Sequence, residues 1–209
     1  MNARLIPATL AFLSLALLLS CGEDSVTDTD TGPKYSRETP EGLVQALAYS
    51  MEHKDIDLYD ECLHDEFLFT FTPEDAEMVG IPADQPWWGK TPDVSAMNEM
   101  FKDPIVVEIE CDLPVNGGPW TIPEGVQYRL EPTMKFTLDQ GPAAEDSTLF
   151  VFSSWFYVKI SRDPYDGDKW VFRAIQETLK DPKGARSGAG SDVAAVEATT
   201  FGSVKARYK

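Results

Sequence analysis

Apolar and polar positions divide the chain into four stretches. Arg4 precedes an almost unbroken apolar run, Leu5 to Leu19, which ends at Ser20-Cys21-Gly22. A short basic start, an apolar centre of that length and a small residue at its end predict an export signal over 1–20, too short to read first as a membrane span. Gly22 to Arg37 is rich in Asp, Thr and Gly and has almost nothing to bury. No core would offset the entropy of ordering it, so 21–37 is expected to be a flexible acidic tether. From 38 to 180 the apolar positions recur with clear periods over a length suited to one domain with one core. Beyond Lys180, Pro182, Gly184, Gly188 and Gly190 precede a run of Ala, Ser and Thr without sustained periodicity, which predicts a disordered tail over 181–209.

Helical periods come first within the domain. Thr39-Pro40-Glu41 supplies a hydroxyl cap, a proline at the first helical position and an acid in the first turn, and Leu43, Leu47 and Met51 form the stripe behind them. Asp55 can cap a second, short helix with Ile56, Tyr59, Cys62 and Leu63 on its apolar face. Phe67 to Thr72 reads as a strand. Pro73 to Lys90, with Gly80, Pro82, Pro86 and Gly89, predicts an excursion with at most helical turns, whose Trp87 and Trp88 would pack as a lid over the open end of the core. Thr91-Pro92-Asp93 repeats the cap-plus-proline signature ahead of a third helix marked by Val94, Met97, Met100 and Phe101.

Strand periods follow. Ile105 to Leu113 alternates, and Val126 to Leu138 alternates more clearly, with Pro132 expected at a bulge or edge position. Leu149 to Ile160 is apolar on both sides, and a turn around Asp163-Pro164-Tyr165-Asp166-Gly167 leads to a last strand, Trp170 to Thr178. Leu149, Val151, Trp155 and Tyr157 would leave an aromatic patch on the outer sheet face, a candidate surface for a homodimer. Three N-terminal helices followed by a strongly curved, mainly antiparallel sheet is an α+β layout with helices on one face.

That order, with LVQALAYSMEHKDIDLYDECLHDEF at its start and WVFRAIQET at its end, resembles the cone-shaped, cystatin-like nuclear transport factor two-like superfamily, which includes SnoaL-like and ketosteroid isomerase-like proteins. The resemblance runs from about Thr39 to Thr178 and implies a pocket enclosed by helices and sheet. At the other end, Leu18-Leu19-Ser20-Cys21 resembles a bacterial lipobox, which implies that Cys21 is acylated and holds the protein on the outer side of a membrane in the cell envelope.

The formal charge of −17 excludes nucleic acid as a partner, since backbone binding needs clustered Lys and Arg, and it leaves acylation as the route to a membrane. With Cys21 acylated, Cys62 and Cys111 remain as candidates for a disulfide in an exported chain. The alternative is two buried thiols behaving as small apolar groups.

Candidate chemistry is sparse. Tyr59, Asp60 and His64 form a polar group near the expected opening, where a general base would need hydrogen-bond reach and a tuned pKa. His64 also sits at a helix end, where histidine is common for dipole reasons alone. His53 is the second of only two histidines, so no metal site is expected, and no cofactor fingerprint is present. Acids fall on the wet side of strands or in turns. The ketosteroid isomerase arrangement would need an interior carboxylate beside a tyrosine, and Tyr128 has no acid on its side of the strand. Tyr59, Trp87, Trp88, Tyr128 and Phe136 are the expected lining of an apolar ligand pocket. The sequence therefore favours a tethered protein that binds a small apolar ligand or a protein partner over an enzyme. The alternatives are a SnoaL-like isomerase, cyclase or hydrolase acting on a small hydrophobic substrate, and a structural envelope protein.

Overall fold

A computed structural model describes residues 35–82, 84–139, 148–151, 154–180 and 200–208. The export signal, Cys21 and the tether as far as residue 34 lie outside the described residues, while Arg37 is described and its side chain pairs with Glu61 at 2.9 Å. Helix α1 spans Pro40–Glu52 and opens as expected, with the Thr39 side chain accepting from the Gly42 amide. Helix α2, Ile56–Glu61, is capped by Asp55, which accepts from the Leu58 amide. Strand β1 runs Leu63–Thr70, and the excursion that follows holds a real helix, α3, Pro73–Met78, with the Thr72-Pro73 cap-plus-proline pair at its start. Strand β2, Trp87–Gly89, leads directly into α4, Lys90–Lys102.

The remaining strands are β3 Val106–Asp112, β4 Val115–Ile122, β5 Gly125–Leu130, β6 Thr133–Leu138, β7 Thr148–Val151, β8 Ser154–Arg162 and β9 Trp170–Leu179. They make two sheets. Six strands pair in the order β2-β1-β9-β8-β5-β4, and three in the order β3-β6-β7. The larger sheet is mixed, because β1 and β9 run parallel while its other pairs are antiparallel.

The expectation of one strongly curved sheet is therefore corrected to helices packed on a mixed sheet, with neither sheet strongly curled or closed. The physical reason is visible at Pro132. Val126 to Leu138 is not one strand: Leu130 pairs with Phe156 in the larger sheet, and Thr133 pairs with Asp112 in the smaller. Proline has no N–H for either ladder, so the chain changes sheets there. Likewise β7 pairs with β6 while β8 pairs with β5 and β9, so Leu149 and Val151 do not share a strand with Trp155 and Tyr157.

The interior is walled by Leu43, Leu47 and Met51 of α1, Tyr59 of α2, Met97 and Met100 of α4, and Phe67, Phe69, Phe136, Phe156 and Ile175 from the strands, all buried. Burying each such side chain contributes about 1.5–3 kcal/mol. The described end of the chain adds to it. Phe201–Ala206 forms helix α5, capped by Thr200, and buries Phe201, Val204 and Lys205, where the sequence pattern had predicted only a tail. Six residues are too few to hold a helix in water, so α5 exists by virtue of what it packs against.

Candidate functional site

Asp93 lies in the first turn of α4 in line with Met97 and Met100, one turn and two turns on, so its carboxylate shares their inward face and is fully buried. Tyr59 reaches the same point from α2, and its hydroxyl donates to Asp93 Oδ2 at 2.7 Å. From α5, Lys205 Nζ donates to Asp93 Oδ1 at 2.5 Å and approaches the Tyr59 hydroxyl at 3.3 Å. The ammonium also sits 3.9 Å from the centre of the Phe69 ring and 4.4 Å from that of Phe201. Burial pushes the Tyr59 hydroxyl well above the ordinary tyrosine value, with Asp93 adding to the effect. Burial pulls Lys205 below the ordinary lysine value, and Asp93 opposes that pull. A carboxylate, a phenol and an ammonium thus form one hydrogen-bonded chain inside aromatic walls.

A second acid is buried at the other end of α5. Glu177 of β9 alternates in phase with Ile175 and so points inward. Its Oε1 accepts from Ser154 Oγ at 2.7 Å and from the Phe201 amide at 2.8 Å, and its Oε2 accepts from the Gly202 amide at 2.8 Å. These two amides belong to the first turn of α5, where backbone donors lack helical partners. Burial raises the Glu177 carboxyl above the usual glutamate range, while the three donors pull it down. Asp75 lies close by, buried and bonded to Thr72 at 2.7 Å, and burial raises its carboxyl as well.

Helix α5 buries Phe201, Val204 and Lys205 in the interior. What remains beside it is a gap of about 20 Å³ among Met100, Phe136, Val204 and Tyr208, room for about one water. Phe136 is buried and borders this gap beside Val204 of α5. Tyr128 is buried with its hydroxyl donating to Glu41 at 3.3 Å. Trp87 and Trp88 form β2 against β1 instead of a lid: Trp88 is buried edge-on against Phe71, and Trp87 is 41% exposed.

Tyr59 is separated from the two residues grouped with it by sequence. Asp60 and His64 line an outward cleft of about 190 Å³ with Arg37, Asp65, Lys90 and Tyr165. Lys90 pairs there with Asp60 at 3.3 Å and Asp65 at 3.9 Å, and His64 Nδ1 accepts from the Glu66 amide at 3.0 Å. A wider cleft of about 310 Å³ on the sheet is lined by Glu66, Leu68, Glu124, Lys159 and Arg173 among others. Cys62 and Cys111 are buried and free, and the Cys111 thiol lies 3.8 Å from the Met51 sulfur. Burial pushes the Cys62 thiol up to about 12 and raises that of Cys111 too. Among the described residues, no three His, Cys, Asp or Glu side chains are grouped to hold a metal ion.

Sequence reasoning missed Asp93, Glu177 and Lys205 as interior groups, yet each carried a signal. Asp93 occupies the same helical stripe as Met97 and Met100, and Glu177 the same strand phase as Ile175. Lys205 sits one turn after Phe201 and beside Val204. These acids overturn the premise that acids keep to the wet sides of the elements, and with it the preference for a binder over an enzyme.

No sequence family and no curated protein matches the chain. Solved structures do match in fold. Rv3472 of Mycobacterium tuberculosis, in a variant form, is 10% identical with a TM-score of 0.52, over 80% of this chain and 91% of that one. Kfla4162 of Kribbella flavida is 14% identical with a TM-score of 0.50, over 66% and 86%. A hexachlorocyclohexane dehydrochlorinase, an enzyme by name, is 13% identical with a TM-score of 0.44, over 66% and 81%. The chain therefore shares the fold of Rv3472 and Kfla4162.

Proposed function

We propose that the protein is an enzyme that moves protons on a small, mainly hydrophobic molecule, and that its substrate takes the volume α5 occupies in this structure. The observation that carries this reading is the pair of interior acids, Asp93 and Glu177, held in different surroundings behind aromatic walls. Asp93 is paired here with the Lys205 ammonium and the Tyr59 phenol; with α5 withdrawn it keeps Tyr59 and serves to anchor the substrate. Glu177 accepts from one hydroxyl and two backbone amides, and burial lifts its carboxyl above the usual glutamate range, which makes it a better proton acceptor than an exposed glutamate. In an isomerisation of a β,γ-unsaturated ketone, Glu177 takes a proton from the α carbon, the C–H pair forms the new C=C bond of a dienolate as the carbonyl π pair moves onto oxygen, and the acid returns the proton to the γ carbon as the carbonyl re-forms. Withdrawal of α5 removes two of the three donors that lower the Glu177 carboxyl and so makes it a stronger base.

The test is solvent-deuterium uptake into a panel of small apolar ketones and enones. Uptake by the wild type that is lost in Glu177→Gln and kept in His64→Gln supports the reading, and uptake that depends on His64 instead overturns it. We also propose, from the signal and Ser20-Cys21 alone, that the protein works outside the cytoplasm, attached to a membrane through Cys21.

A further inference from the structure

Lys205 is the feature of the interior that packing does not require. A leucine or methionine at that position of α5 would fill the same space without the cost of taking an ammonium out of water. The chain instead places an ammonium where it meets one carboxylate, one phenol oxygen and the faces of Phe69 and Phe201. Three of these four groups, Asp93, Tyr59 and Phe69, stand on α4, α2 and β1 and stay in place if α5 leaves. A single carboxylate beside aromatic faces is the arrangement that recognises organic ammonium groups. The apolar surroundings of Tyr59, which packs edge-on against Phe101 at 6.3 Å, suit a hydrocarbon body attached to that nitrogen.

We propose that the Asp93–Tyr59–Phe69 site takes the ammonium group of a small hydrophobic amine, and that Lys205 on α5 is a built-in competitor for it. This rests on the reading of the interior as the substrate site and adds the class of substrate. Helix α5 is suited to being displaced: it is six residues long, and its polar links include Lys205 to Asp93 and Tyr59 and the Phe201 and Gly202 amides to Glu177, with Tyr208 just beyond it bonded to Asp103 at 2.9 Å. An amine that binds only when α5 is out shifts the equilibrium toward the open form by mass action.

The test uses the full-length wild-type protein and three solutes: benzylamine hydrochloride, benzyl alcohol as its neutral counterpart, and sodium chloride at matched ionic strength. The readout is hydrogen exchange at the Phe201, Gly202 and Val204 amides, each of which is hydrogen-bonded in the docked helix. At ten times its dissociation constant for the open form, benzylamine should speed exchange about tenfold, in proportion to its concentration, while the alcohol and the salt do not. Asp93→Asn should abolish the benzylamine effect; should that variant fail to fold, the three-solute comparison decides. Equal acceleration by benzyl alcohol overturns the amine assignment and leaves the interior as an apolar site. Absence of acceleration by either compound overturns the interior site itself. The absence of deuterium uptake from ketones, with benzylamine still effective, overturns the proton-transfer reading alone.

Discussion

Lys205 and Asp93 meet inside the protein with neither side chain exposed, joined at 2.5 Å between an ammonium from the last described helix and a carboxylate from the first turn of α4. The pair ties the end of the chain to the centre of the domain. Removing one partner leaves a buried charge uncompensated, so Lys205→Ala should lower unfolding stability by about 3–5 kcal/mol. Asp93→Leu combined with Lys205→Met should recover most of the loss, because an apolar pair of similar size carries no desolvation cost. Urea unfolding of the single and double variants checks this. A loss below about 1 kcal/mol for Lys205→Ala would mean that the ammonium is solvated, as for an exposed pair.

Glu177 gives stability a defined dependence on pH. Its carboxyl is raised above the ordinary value of 4.5, so the folded protein holds this proton when the unfolded chain has released it. Wild-type stability should therefore fall relative to Glu177→Gln as pH rises from 4.5 through the folded-state value, and the difference should be flat below 4.5. Urea unfolding of both proteins between pH 4 and 8 reads this slope. A difference that grows in favour of the wild type as pH rises would show the carboxyl to be lowered instead.

Gly202 sets how closely α5 can approach. A β-carbon there would lie 2.7 Å from Phe71 Cδ1 and 3.0 Å from Asp75 Oδ2. Alanine favours a helix over glycine by about 1 kcal/mol, but overpacking costs about 1–3 kcal/mol, so crowding should win. Gly202→Ala should lower stability and speed hydrogen exchange across α5. A variant as stable as the wild type, with unchanged exchange, would mean that α5 is not seated against Phe71.

Local signals in the sequence were strong and long-range ones weak. Thr39 and Asp55 cap the helices they were expected to cap, because capping is decided within three residues, whereas Thr91 does not: α4 starts at Lys90 with Gly89 at its cap. Pro132 was legible as an interruption, but the change of sheet depends on which distant strands, β3 and β8, wait on either side. Lys205 was hidden for a similar reason. FGSVKA is too short to show helical periodicity, and its docking depends on Asp93 and Glu177, which lie 112 and 28 positions away by their numbers. Both acids looked surface-bound by residue type, and only their phase with Met97, Met100 and Ile175 marked them as interior. Tyr59 turns inward while Asp60, next to it on α2, faces the outward cleft, and His64 stands on β1.

The export signal and Ser20-Cys21 make a separate prediction about location. Cys21→Ser should abolish incorporation of labelled fatty acid and move the protein from the membrane to the soluble fraction. Equal labelling of the variant and the wild type would remove the lipid anchor from the account.

The most direct measurement of the central claim is a crystal structure of the full-length protein grown with benzylamine. The account predicts its ammonium against Asp93 and Tyr59, its ring in the space of Phe201 and Val204, and α5 displaced. Benzylamine bound in the outward cleft beside Asp60 and His64, with Lys205 still paired to Asp93, would contradict it.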